Sequence, residues 1–103
     1  MINKQPYYAV IFTSTQTENI EGYTEMANRM EILAKQQVGF IRIDSARNEI
    51  GITVSYWETL DAIKKWKQNT EHLLAQKKGK SNWYNSYHVR ICKVEREYEF
   101  GNN

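Results

Sequence analysis

Cysteine is nearly absent from this chain, neither sign of charge is in large excess, and no long apolar run occurs. The single Cys92 permits no internal disulfide and no cysteine-based zinc site, which suits a reducing compartment. It reads as a small buried side chain. No apolar run approaches the ~20 residues needed to cross a bilayer, so a membrane protein is excluded. Neither end carries a charged segment followed by an apolar stretch and a small-residue cleavage site, so the expected compartment is the cytoplasm. A net charge of +2 is far below that of a typical nucleic-acid binder, and the lysines are interleaved with acids except around Lys77, Lys78 and Lys80. Nucleic acid is therefore not an expected partner. Nothing reads as a catalytic triad, a metal cluster or a phosphate loop, so metal is not expected.

What is present is aromatic. Three Trp and seven Tyr in 103 residues are more than a minimal core needs, and some should line a pocket or an interface. The length suits one domain, with its core over about residues 7–100, that buries roughly 65% of the surface its unfolded chain exposes.

Tyr7 to Thr13 is apolar at nearly every position, which predicts a central strand covered on both faces. After a polar stretch from Ser14 to Asn19, apolar residues recur at Tyr23, Met26, Ala27, Met30, Leu33 and Ala34, one face of a helix. Glu18, Glu21 and Glu25 lie near its positive end. Gly39 can adopt the conformation that ends a helix, and Phe40 to Ser45 alternates as a half-buried strand with Ile41 and Ile43 on one face. Ala46 to Glu49 reads as a polar turn, which leaves Arg47 solvated.

The next strand alternates Ile50, Ile52, Val54 and Tyr56 with Gly51, Thr53, Ser55 and Trp57. A ligand could lie over its small, polar face. Thr59 is the expected N-cap of a helix carrying Leu60, Ile63 and Trp66, with a bend at Asn69 and Thr70 and a second segment that Gly79 closes. Trp83 and Tyr84 lead into a last strand, Tyr87 to Val94, with Val89 and Ile91 facing one way. A charged tail, Glu95 to Phe100, extends it.

Strand, helix, strand, strand, helix, strand is the split βαβ order of ferredoxin-like α+β domains. That topology puts both helices on one face of an antiparallel sheet. The bare face, together with a first strand apolar on both sides, calls for a partner, which a second copy stacking sheet on sheet would supply.

Gly51-Ile52-Thr53-Val54-Ser55-Tyr56-Trp57, then Ala62-Ile63, Trp66-Lys67, His72-Leu73, Ala75-Gln76 and Trp83-Tyr84, resemble the antibiotic biosynthesis monooxygenase superfamily, in its bacterial branch described as predicted monooxygenases. Gly39-Phe40 upstream and Arg90 through Glu95-Arg96 downstream extend the resemblance to roughly Tyr7 to Phe100. It implies a dimeric α+β barrel with a small-molecule cavity between helices and sheet. Some members oxidise polycyclic quinols with oxygen and no metal or flavin; others bind and degrade haem. The haem-degrading pattern asks for an Asn on the first strand, a Trp on the second helix and a His about three turns on. Trp66 matches the Trp, the first strand has no Asn, and Gln76 falls near the place of the His. No cofactor is therefore expected, and haem is not favoured.

Each candidate residue has a plainer reading beside the chemical one. Trp66 packs inward on its helix or orients a substrate oxygen through its indole N–H. Trp57 lies against the second helix or forms a stacking surface for a flat substrate, beside Thr53 and Ser55. Trp83 and Tyr84 pack the core or the dimer contact, or touch the ligand. His72 is structural or the general base, since its usual pKa of about 6.5 lets it exchange protons near neutrality. Arg90 pairs with an acid in the sheet or anchors a phenolate or carboxylate. Lys64, Lys65 and Lys67 read as a solvated helix face. The expected activity is a cofactor-independent monooxygenation of a small aromatic quinol or phenol by a homodimer, with His72 as base and Trp66 or Arg90 stabilising the anion. A non-catalytic binding protein for haem or another flat molecule, and a structural or regulatory dimer, are the alternatives.

Overall fold

The elements run β1 (Tyr7–Gln16), α1 (Tyr23–Lys35), β2 (Phe40–Arg47), β3 (Gly51–Trp57), α2 (Leu60–Gln76) and β4 (Tyr84–Val94). The structure, a computed structural model, describes residues 6–76 and 83–101, and of residues 72–76 the backbone. Gly79 lies outside the described residues. The strands form one antiparallel sheet in the order β2-β3-β1-β4. This is the expected ferredoxin-like arrangement, with the two most apolar strands, β1 and β3, at its centre and both helices on one face.

Paired residues in an antiparallel sheet share a face, and neighbours along a strand alternate. Tyr8 pairs with Trp57, Val10 with Ser55, Phe12 with Thr53 and Ser14 with Gly51, and this set faces the helices. On β4 the same face takes Ile91, Val89 and Tyr87. The small, polar side of β3 thus looks toward the helices. Its greasy side, with Ile52 and Val54, looks away from them.

Strand β2 departs from simple alternation. Phe40 pairs with Trp57 but Arg42 pairs with Tyr56, so Ile41 is an extra residue in a bulge. The bulge reverses the parity of the rest of the strand. Phe40 and Ile43 face the helices, not the predicted pair Ile41 and Ile43, and Ile41 is 43% exposed. The predicted turn at Ala46 to Glu49 is shorter and later, with Arg47 still paired to Gly51 and Asn48 closing on Ile50 by a 3.2 Å backbone bond.

On α1, Met26 and Ala34 are buried and Tyr23, Met30 and Leu33 partly so, as the spacing predicts, but Ala27 points to solvent. Gly22 precedes α1 in the left-handed region (φ 82°). Gly39 (φ 89°) turns the chain from α1 into β2, and a Cβ on it would stand 2.8 Å from that of Ala62. Thr59 caps α2 as expected, its Oγ1 accepting from the Ala62 amide at 3.0 Å. The predicted bend is absent. Thr70 does not cap a new segment; its hydroxyl donates to the Lys67 carbonyl at 2.8 Å inside one continuous helix. Lys65 and Lys67 hold exposed ion pairs with Asp61 and Glu71, a solvated face.

Strand β4 begins three residues before the predicted Tyr87, and it stops at Val94. The tail from Glu95 to Phe100 does not extend it as a strand, and Tyr98 and Phe100 stand almost fully exposed. Cys92 is free and half-buried, rather than buried, on the face away from the helices.

Candidate functional site

The helix-side layer has two ends. At one, Trp57 has no exposed surface. Its ring stacks on Trp66 (centroids 5.7 Å, 28° between planes) and meets the edge of Phe40 (5.4 Å, 82°). Its indole N–H donates to Ser55 Oγ at 2.9 Å, so a buried hydroxyl and a buried N–H satisfy each other. Ala34, Ala62 and Ile63 complete this cluster, with Tyr8 and Val10 beneath. Of the two readings of Trp57, the one against α2 describes its position. Trp66, partly buried, is the other half of that stack.

The other end is built around an arginine. Arg47, Gly51, Ser14 and Tyr87 form one rank across all four strands. The Arg47 guanidinium crosses above Gly51, where a Cβ would collide with it, and donates to Ser14 Oγ. Ser14, expected in a polar loop, is buried inside β1. Above the guanidinium lies the ring of Tyr23, 5.7 Å from carbon Cζ to centroid, in cation–π geometry. Arg47 is therefore half-buried and bonded, not solvated as its place near the turn suggested.

Aromatic rings surround this cation. Tyr23 contacts Trp83 and Tyr84 edge-on, both at 5.8 Å. Phe12 stacks on Tyr87 (5.4 Å, 27°) and meets Tyr84 at 5.6 Å. Trp83 is buried, with its N–H on the Glu21 carbonyl at 2.8 Å, so core packing accounts for it. Burial pushes the Tyr84 hydroxyl well above the usual phenol range, its hydrogen bond with Tyr23 adds to this, and the positive Arg47 works against it.

The expected site residues are thus dispersed. Thr53 and Ser55 face the helices between the two ends, Trp57 and Trp66 occupy one end, and Trp83 and Tyr84 the other. Arg90 pairs with Ile11 on the opposite face of the sheet, exposed, so it does not meet Trp66 within one chain. The side chain of His72 lies outside the described residues. Reasoning from the sequence missed Arg47, Ser14, Tyr23 and Phe12. The one signal for them is Gly51, since a glycine opening a strand marks a close approach of another group. An open cleft of about 240 Å³ on α1, against Arg29, Ile32, Leu33 and Gln36, touches none of these residues. Among the described residues no group of His, Cys, Asp and Glu could hold a metal ion, and no helix is long and apolar enough to cross a membrane.

No family model matches the sequence. The Bacillus subtilis (strain 168) protein YqjZ, which is uncharacterised, is 52% identical over 100 residues, covering 95% of this chain and 88% of YqjZ. The chain belongs to the YqjZ family. Solved structures extend this member of the YqjZ family to a wider fold group. SnoaB, a cofactor-independent oxygenase from Streptomyces nogalater, superposes with a TM-score of 0.68 at 11% identity, over 88% of this chain and 95% of SnoaB. A candidate antibiotic biosynthesis monooxygenase from Nitrosomonas europaea gives 0.69 at 15% identity, over 92% and 95%. A mutant of MhuD with two manganese protoporphyrin IX molecules bound per active site gives 0.66 at 15% identity, over 90% and 99%. The fold is that of the antibiotic biosynthesis monooxygenases, as the resemblance implied. At such identities the likeness speaks for the fold, not for the reaction.

Proposed function

We propose that this chain is a cytoplasmic, cofactor-independent monooxygenase that oxidises a small electron-rich aromatic, a quinol or phenol, and works as a homodimer. One observation carries the activity: the chain shares its fold over most of its length with SnoaB, a cofactor-independent oxygenase. Loss of a proton turns a phenol into a phenolate able to reduce oxygen directly; the substrate supplies all four electrons and gives up two hydrogens, so one oxygen atom enters the ring as a quinone carbonyl and the other leaves as water. The protein has to supply a base, a donor for the anion and exclusion of water. His72 is the proposed base and Trp66 the proposed donor. Arg90 is the proposed anion anchor only for a ligand on the sheet's other face.

The dimer is argued from the uncovered face. Ile52 on β3 is 47% exposed there, and Ile11, Val54, Tyr56 and Cys92 are half-buried with no helix above them. Such a contiguous apolar face is stable in water when a second copy covers it. Light scattering is expected to report twice the chain mass, and Ile52→Glu to lower it.

The activity is tested by oxygen uptake with a panel of hydroquinones. His72→Ala should slow uptake at least ~100-fold, as loss of a general base does, and Trp66→Phe should slow it less. Uptake unchanged in both variants removes these roles.

The likeness to porphyrin-bound MhuD favours a second reading, a non-catalytic protein that holds haem or another flat hydrophobic molecule. Haem fits the described residues poorly. The helix-side face of β1 offers Tyr8, Val10, Phe12 and Ser14 with no side-chain amide, and Trp66 is occupied by Trp57. A Soret band on haem titration that vanishes in His72→Ala would support this reading, and an unchanged spectrum would end it.

A further inference from the structure

Among the described residues, the cation at the Arg47 end has no anion of its own. Among the described residues no carboxylate lies within ion-pair reach of Arg47, while Lys35, Arg42, Lys65 and Lys67 each have one. The remaining residues of the chain include no Asp or Glu side chain that could supply it. A half-buried guanidinium has given up part of its hydration, and a neutral hydroxyl and a ring face return only part of that loss. Its five N–H donors in a planar fork also exceed what one serine oxygen can accept.

The surroundings are shaped for something more than a charge. Beside Ser14 in the rank stands Tyr87, 58% exposed, and next along the same face of β4 come Val89 and Ile91, 51% and 52% exposed. The Tyr87 ring stacks on Phe12, so an aromatic surface runs from open solvent up to the guanidinium. The cation sits at one end of an exposed apolar strip.

We propose that Arg47, held by Ser14 over Gly51, is the anchor of a binding site for a flat aromatic monoanion, a carboxylate or phenolate, whose ring lies along Tyr87 and Val89. The fork of the guanidinium receives the anionic oxygens and the strip receives the ring. Charge complementarity singles out this occupant: a neutral aromatic would leave the arginine without a counter-ion, and an inorganic anion would leave the strip wet. The guanidinium lies against the Tyr23 ring, which in turn meets Tyr84 edge-on, so the charge borders the ring cluster. This inference does not rest on the proposed oxygen reaction. A protein that binds the anion yet consumes no oxygen sinks the proposed activity and leaves this inference intact.

The test is calorimetric titration of the full chain with 2-naphthoate and with its neutral isostere 2-naphthamide. The wild type should bind naphthoate at least tenfold more tightly. Arg47→Met should erase that preference. Gly51→Ala, which keeps the charge but fills the space beneath it, should reduce it. Should Arg47→Met fail to fold, Arg47→Lys decides: it keeps the charge without the planar fork and should lose most of the preference. Equal affinity of the wild type for the two probes, or a preference that survives in the foldable Arg47 variant, overturns the proposal.

Discussion

At the Trp57 end of the helix-side layer, three aromatic rings and an indole N–H close on one another until none of the Trp57 surface is left exposed. At the Arg47 end, a cation, two buried or half-buried hydroxyl groups and a set of phenol rings meet, and the strip beyond them on β4 lies open. Both ends draw on the same sheet and the same two-helix layer. What differs is the strand beneath: β2, β3 and β1 lie under helices, whereas Tyr87, Val89 and Ile91 on the helix side of β4 remain more than half exposed. Aromatic side chains therefore make core where a helix covers them and a surface able to receive a ligand where none does. The sequence, rich in aromatics throughout, does not distinguish the two.

The largest expected effect is at the closed end. Trp57→Ala should lose about 3–5 kcal/mol of unfolding free energy in urea, because a fully buried indole leaves a cavity lined by rings that cannot close over it. Gly39→Ala should cost about 2 kcal/mol, since a left-handed backbone and a Cβ against Ala62 combine there. Thr59→Ala removes the cap of the helix that carries Ala62, Ile63 and Trp66 and should cost about 1 kcal/mol. At the open end, Tyr87→Ala should change stability by about 1 kcal/mol or less, as exposed positions do. A loss there as large as that of Trp57→Ala would erase the contrast between the two ends.

The smallest effect is in pH. The Tyr7 hydroxyl, on the face away from the helices, is pushed up to about 12 by burial, with its hydrogen bond to Glu97 adding to this. The folded state keeps that proton after the unfolded state, with a phenol near 10, has released it. The contribution is whole below pH 10 and fades as pH rises toward 12. Tyr7→Phe should flatten that part of the stability profile, and absorbance at the tyrosinate band should show one phenol fewer titrating late.

The fold was legible because each strand and helix carried its own period. Tyr7 to Thr13 read as a central strand, and the spacing from Tyr23 to Ala34 as a helix. Thr59 read as a cap, and all three are so placed. The site was less legible because it depends on pairings between strands, which local pattern does not encode. Arg47 read as a solvated turn residue since nothing nearby in the sequence announces Ser14, 33 positions earlier, as its partner. Thr70 read as a helix start because its type favours caps, yet its hydroxyl can as well bond inside the turn it follows. Arg90 and Trp66 read as alternative stabilisers of one anion, yet the register puts the sheet between them within one chain.

One extra residue in β2 decides where the molecule carries its cation. Before Ile41 the strand keeps Phe40 against Trp57, and after it every side chain has changed sides, which is how Arg47 comes to look inward. Were Ile41 instead paired in regular register with Tyr56, the guanidinium would emerge on the far surface of the sheet, so that side-chain chemistry would be inverted with no change in residue 47 itself.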